Sequence, residues 1–350
     1  MSNTETNQLV LVTGGTGFVG IHCIVQLLQK GYQVKTTIRS MSRKKEVLDM
    51  LHEGGIDSID KLEFIEADLT KDDNWAEAVR ACDFVLHVAS PIFLTVPKDE
   101  NEMITPAVEG TLRVLKAARD AQVKRVVLTS SFGAIGYSHK DPKTLITEEC
   151  WTDANDKTLS AYIKSKTLAE KSAWDFIARE GACLELAVIN PMAIFGPSLG
   201  PNLSSGFEVL RQMLNGSIKG LPKISFGIVD VRDVANIHLR AMINPAAKGQ
   251  RFLAFSGKVM TLPEIAAVLK NRLGDRAAKV PTRVLPNWII RFAALFNSKA
   301  KMVVHQLGRV KNASNQKAIT MLGWQPRSAE DALLASAESL LKYAPSGKDK

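Results

Sequence analysis

Short runs rich in β-branched residues, at 9–13, 33–38, 62–65, 84–88, 125–129 and 184–189, alternate with longer amphipathic stretches. In those stretches, near 17–30, 44–51, 74–81, 101–121 and 159–179, apolar positions recur every three to four residues, the period of a helix with one buried face. Strand and helix in alternation form βαβ units feeding a parallel sheet. Because such crossovers are right-handed, the pattern predicts an α/β fold built on a doubly wound parallel sheet. After Asn190 and Pro191 the alternation breaks, and "FGPSLGPNLSSG" marks the start of a smaller lobe. The strand-like "ISFGIVDV", the helix-like "RDVANIHLRAMIN" and the run at 251–255 then read as a return to the sheet, so the lobes interleave. The expected division is 1–190 with 228–254 for the sheet domain and 191–227 with 255–343 for the lobe. A last helix is expected at 329–343, and the polar 344–350 tail reads as disordered.

With 350 residues, 45% of them apolar, the chain can bury a sizeable core. No run approaches the roughly 18 apolar residues of a membrane helix, and "MSNTETNQ" lacks the marks of an export signal. We therefore expect no membrane partner and a cytoplasmic location. Cys23, Cys82, Cys150 and Cys183 form no CxxC pair and have no histidine at metal-ligand spacing, so they read as reduced structural thiols without a metal. The net charge of +9 raises nucleic acid, but Lys and Arg are spread along the chain with acids between them and aromatics are 6%. A solvated basic surface with no nucleic-acid partner is the plainer reading. One exception is "RSMSRKK" at 39–45, four cations without an acid.

"LVLVTGGTGFVG" places Gly14, Gly17 and Gly20 directly after the first strand and at the start of the first helix. Glycines alone mark only a bend, but in this context they form a dinucleotide-binding fingerprint. Gly14 permits the turn, Gly17 lets backbone approach a pyrophosphate, and Gly20 lets the helix pack closely. The helix N-terminus then offers N–H groups to the phosphates, and the cofactor-binding assignment covers Thr13, Gly14, Gly17, Phe18, Val19 and Gly20. An NAD enzyme carries an acid at the end of the second strand to hold the ribose hydroxyls. Here that place reads "TIRS". Arg39 with Lys44 suits a 2′-phosphate, so NADP (NADPH) is the expected cofactor; which of Arg43, Lys44 and Lys45 assists Arg39 stays open.

In "SAYIKSK", Tyr162 and Lys166 stand four apart and project from one face of the expected helix, with Lys164 turned elsewhere. An ammonium close to a phenol favours its ionised form. A serine hydroxyl in "VVLTSSFG", at the carboxyl edge of the fifth strand, can hold a substrate carbonyl beside the tyrosine.

"TGGTGFVG", "EADLT", "HVAS", "TSS" and "YIKSK", in this order, resemble the extended short-chain dehydrogenase/reductase superfamily. "SPIFLTVPKDENE", "SKTLAEKSAWDF" and "LGWQPRS" resemble its dihydroflavonol-reductase-like branch of carbonyl reductases. The resemblance covers about residues 8–343 and implies a Rossmann fold with a substrate-binding lobe. It implies a catalytic triad of Ser131, Tyr162 and Lys166, with Ser130 as the alternative serine. It also implies adenine contacts from Asp68 and Leu69, an inner-ribose wall of Val88, Ala89 and Ser90, and a nicotinamide cover starting at Pro191. Asp68 reads equally as a loop acid capping the next helix. Around the substrate it implies Phe93, Phe132 and Met192, with Ile92, Ile135, Leu203 and Phe207 in the same segments; any of these can instead be lobe core.

The expected activity is NADPH-dependent reduction of aldehydes or ketones, with Tyr162 as proton donor. An epimerase of nucleotide sugars shares fold and triad, but its usual resident NAD conflicts with Arg39. A cofactor-sensing binding protein is the rival from another class, although such relatives tend to lose the tyrosine or lysine. His87 reads as a satisfied core residue. The expected partner is a small-molecule carbonyl, and the protein is expected as a monomer or homodimer.

Overall fold

A computed structural model of the chain describes residues 7–91, 97–139, 141, 143–204, 206–296, 304, 307 and 311–343. Its first part contains β1 (Leu9–Val12), α1 (Phe18–Gln29), β2 (Gln33–Ile38), α2 (Lys44–Glu53), β3 (Leu62–Glu66), α3 (Trp75–Val79), β4 (Phe84–His87), α4 (Asn101–Asp120), β5 (Arg125–Thr129), α5 (Ala161–Glu180) and β6 (Glu185–Pro191). There follow β7 (Ala193–Phe195), α6 (Phe207–Leu214), β8 (Leu221–Pro222), β9 (Ser225–Asp230), α7 (Val231–Ile243), β10 (Arg251–Ala254), β11 (Val259–Thr261) and α8 (Leu262–Leu273). The last described elements are β12 (Val284–Leu285), α9 (Asn287–Ala293), α10 (Gln316–Leu322) and α11 (Ala329–Tyr343).

Seven strands form one parallel sheet in the order β10-β6-β5-β4-β1-β2-β3. Val10, Leu11 and Val12 are all fully buried because both faces of β1 are covered. Val10 and Val12 join the core under α1 and α7, while Leu11 joins the one under α4 and α5. Each such side chain contributes roughly 1.5–3 kcal/mol by leaving water. From β1 the chain winds outward through β2 and β3, then returns to β4 on the other flank. The carboxyl ends of β1 and β4 thus frame the crevice where doubly wound sheets bind ligands.

β9 does not return to this sheet. β10 occupies the free edge of β6, so β9 pairs with β7 and β11 in a separate three-stranded sheet, and only α7 and β10 rejoin the main one. Nor does 255–343 belong wholly to the lobe. Ala318, Leu322 and Trp324 pack into the α1/α7 core, and the Trp324 indole donates to the Asp233 carbonyl at 3.0 Å. The expected 344–350 tail lies outside the described residues. Among the described residues, no helix is long and apolar enough to cross a membrane.

Candidate active site

The turn after β1 is built around its glycines. Gly14 has φ +76°, a conformation that favours glycine, and a Cβ there would press on Ala89 at 3.0 Å. A Cβ on Gly20 would fall on the Gly14 carbonyl oxygen, so Gly20 lets α1 begin against the turn. Gly15, outside the expected set, is needed too, because its Cβ would meet the Thr36 hydroxyl on β2. Gly17 begins α1 without a side-chain cap, which leaves first-turn N–H groups for an anion. Val19 is buried in the core, so only its backbone faces the turn, and Phe18 packs edge-on against Phe207 of α6 with centroids 5.3 Å apart.

Thr13 ties the turn to the end of β4. Its hydroxyl accepts from the Val88 and Ala89 amides at 3.0 and 2.9 Å and lies 3.0 Å from His87 Nδ1. With both acceptor sites in use, the hydroxyl proton goes to His87, which fixes Nδ1 as acceptor. His87 is buried, and that burial, followed by the nearby Lys166 charge, lowers its pKa to about 3, so the ring is a neutral core group.

At the end of β2, Arg39 is exposed beside Asp68. The other cations of this run have partners. Arg43 is bidentate to Glu46 at 2.9 Å, Lys45 pairs with Asp49 at 2.8 Å, and Lys44 lies 5.1 Å above the Phe64 ring. The Thr70 amide and hydroxyl hold the Asp68 carboxyl below the usual carboxylate range, and the Arg39 charge adds to this. Asp68 therefore closes a local turn rather than capping α3, which starts after Asn74 in the left-handed region at φ 65°. Leu69 is buried against Gly110 of α4.

Ser130 and Ser131 diverge at the end of β5. The Ser130 hydroxyl is buried and donates to Glu170 at 2.5 Å, whereas Ser131 Oγ accepts from the Gly133 amide at 3.0 Å and keeps its proton to give. Gly133 brings this turn against α5, where a Cβ would lie 3.8 Å from the Ile163 Cα. The next residue back on α5 is Tyr162, 52% exposed and thus open to a ligand. One turn on, Lys166 Nζ donates to Ser90 Oγ at 2.9 Å and sits 5.9 Å from the Tyr162 ring centroid. Lys164 pairs with Glu100 at 2.6 Å on another side of the helix.

Sequence reasoning missed what supports these groups. Glu170 accepts from Ser130, from Asn190 at 2.6 Å and from Arg251 at 2.6 Å, and Asn190 also donates to the Ser131 carbonyl at 3.2 Å. The only sequence signal was a glutamate one turn beyond Lys166 on the same helix face. Tyr137 packs its ring on Phe132 and interacts electrostatically with Tyr162.

The expected substrate wall is mostly core. Phe132 and Met192 are 7% and 9% exposed and pack together with Ile135, Leu253 and Phe255, so each has little surface to offer a ligand. Phe207 is buried against Phe18, and Leu203 is half-buried. Pro191 is buried at the end of β6, opposite Ala254. Ile92 and Phe93 lie outside the described residues. A groove of about 760 Å³ past Trp75, Glu109 and Arg113 touches none of the expected site residues. Convergence of polar groups, rather than groove size, marks the crevice.

Fold and crevice define the class, a doubly wound α/β protein with a dinucleotide-binding turn. Residues 10–254 match the NAD dependent epimerase/dehydratase family, and the chain belongs to it. It is 35% identical to a cinnamoyl-CoA reductase of Medicago truncatula, over 77% of this chain and 82% of that protein. It is 33% identical to an anthocyanidin reductase of Vitis vinifera, over 87% and 90%. Its fold superimposes on the yeast methylglyoxal/isovaleraldehyde reductase complexed with NADPH, with TM-score 0.80 and 25% identity over 96% of this chain and 99% of that one.

Proposed function

We propose that this protein is an NADPH-dependent reductase of aldehydes and ketones, acting in the cytosol on small apolar carbonyl compounds. The observation that carries the reading is the convergence of Ser131, Tyr162 and Lys166 at the crevice between the glycine turn and β4, with Lys166 anchored on Ser90. The crevice fits the cofactor on its own terms. Gly20 lets α1 start hard against the turn, the first-turn N–H groups after Gly17 have no side-chain cap and are free for a pyrophosphate, and the exposed Arg39 at the end of β2 suits a 2′-phosphate. When bound, the reduced nicotinamide supplies the hydride.

The residues of the chain do the rest. Ser131 gives its hydroxyl proton as a hydrogen bond to the carbonyl oxygen and orients the substrate. Tyr162 transfers its proton to that oxygen as it gains charge. Lys166, held in place by Ser90, stabilises the negative charge left on the phenol oxygen and would hold the ribose hydroxyls of the bound cofactor. Asn190 and the Glu170 network keep the Ser131 backbone in place.

Support for reduction over epimerisation comes from two sides. Relatives at 33–35% identity include a cinnamoyl-CoA reductase and an anthocyanidin reductase, and Arg39 stands where an NAD enzyme has its acid. The test is NADPH oxidation measured against benzaldehyde-type, branched aliphatic, sugar and nucleotide-sugar substrates side by side. Apolar carbonyls should turn over best; preference for the nucleotide sugar, or no reduction of any apolar carbonyl, defeats the proposal.

A further inference from the structure

The basic charge of this protein is not spread evenly. The stretches 215–223 and 270–296 hold eight Lys and Arg and one acid, Asp275, and so account for seven of the nine net positive charges of the chain. An average over the whole sequence hides this concentration. The fold brings the two stretches together, because β8 runs beside β12 with the Leu221 amide on the Arg283 carbonyl at 2.8 Å. Gly216 likewise abuts Lys279, where an added Cβ would lie 3.2 Å from the lysine Cβ. Lys219, Lys223, Arg276, Lys279, Arg283 and Arg291 are all exposed.

From this basic end projects α9. Ile290 anchors its inner side in the lobe core. Trp288, Phe292, Leu295 and Phe296 are 68%, 63%, 73% and 82% exposed, the four most exposed large apolar side chains among the described residues. Their spacing of four, three and one places them on one side of a helical turn, which continues past α9 through the Ala294–Ile290 and Leu295–Phe292 backbone bonds. The Phe292 and Phe296 rings meet edge to face at 5.8 Å. Four such side chains in water are unfavourable unless something covers them.

We propose that this end of the small lobe docks on an anionic lipid surface, with Trp288, Phe292, Leu295 and Phe296 entering the acyl boundary and the surrounding cations lying over the headgroups. A protruding ridge of Trp, Phe and Leu rimmed by Lys and Arg is the pattern of a segment that lies in a membrane interface without spanning it. Charge decides against a second copy of the chain, since an isologous contact would press two basic faces together.

Sedimentation of the full chain with phosphatidylglycerol-containing vesicles, and with pure phosphatidylcholine vesicles, tests the proposal. The protein should bind the first and not the second, and added salt should release it. Arg283→Glu with Arg291→Glu should weaken binding at least about 25-fold, about fivefold for each cation removed. Trp288→Ser with Phe292→Ser should abolish it, while both double variants keep the wild-type Tm and NADPH binding. Absence of binding, equal binding to both vesicle types, or undiminished binding by either double variant overturns the proposal. Self-association in light scattering that the serine variants relieve overturns it in favour of a dimer face.

Discussion

Glu170→Gln should cost this protein about 3 kcal/mol of stability, although the substitution preserves shape and volume. The carboxylate is 1% exposed, with one oxygen taking Arg251 Nε at 2.6 Å and the other taking Ser130 and Asn190 at 2.5 and 2.6 Å. Arg251 is itself buried, donating to the Glu148 and Cys150 carbonyls at 2.7 and 2.8 Å and lying 3.7 Å over the Trp151 ring. Removing one partner of a buried pair leaves the other charge uncompensated, a loss of about 3–5 kcal/mol. Glutamine keeps one acceptor for the guanidinium, which argues for the lower end. Arg251→Met alone should be costly for the converse reason, yet the double variant should recover at least about 2 kcal/mol of the summed losses, because no unpaired charge remains. Urea unfolding of the four proteins, read by midpoint with m unchanged, measures the cycle. A loss below about 1 kcal/mol for Glu170→Gln, or simple additivity in the double variant, would refute the reasoning.

Three further outcomes follow from the site and the core. Tyr162→Phe should lower kcat by about 100-fold or more while NADPH still binds; steady-state kinetics with near-wild-type turnover would remove Tyr162 from the chemistry. Arg39→Ala should weaken NADPH about 10- to 150-fold, the scale of a lost hydrogen bond to a charged group, and leave NADH nearly unchanged; equal losses in titration would make Arg39 structural. Burial holds His22, His87 and His238 neutral, lowering their pKa values to about 4, about 3 and about 4. The unfolded chain takes up protons there near pH 6.5 and the folded chain does not, so stability is full above that pH and falls as pH drops. Three groups give a slope on the order of 4 kcal/mol per pH unit between pH 6 and 5, while Glu148 and Asp233, whose carboxyls are raised by burial, act in the opposite sense. Urea midpoints unchanged across that range would contradict the assignment.

The middle of the sheet was legible because β1, β4 and β5 are covered on both faces and read as nearly unbroken apolar runs. The glycine turn was legible because its demands are steric, and Gly14 and Gly20 each sit where a Cβ would collide. Membership of β9 was not, since which edge a strand joins depends on β10 having filled the flank of β6, a choice made by tertiary contacts. Hydrophobicity could not separate a cavity wall from core either. Phe132, Ile135, Met192 and Phe207 satisfy the composition of a pocket, yet packing has consumed nearly all of their surface. The Glu170 network was hidden for a related reason: a glutamate and an asparagine far apart in sequence reveal nothing until α5 and β6 bring them within 2.6 Å. Of the basic run, the structure separates Arg39 from its neighbours by showing which of them already have acidic or aromatic partners.

The most direct test of carbonyl reduction follows the hydride itself. NADPH deuterated at the transferring position of the nicotinamide is incubated with the protein and an apolar aldehyde or ketone, and the product is analysed by mass spectrometry. One deuterium on the former carbonyl carbon of the alcohol, with stoichiometric oxidation of NADPH and loss of the signal in Tyr162→Phe, is the predicted result. An unlabelled product, or unoxidised NADPH beside an epimerised nucleotide sugar, would contradict it.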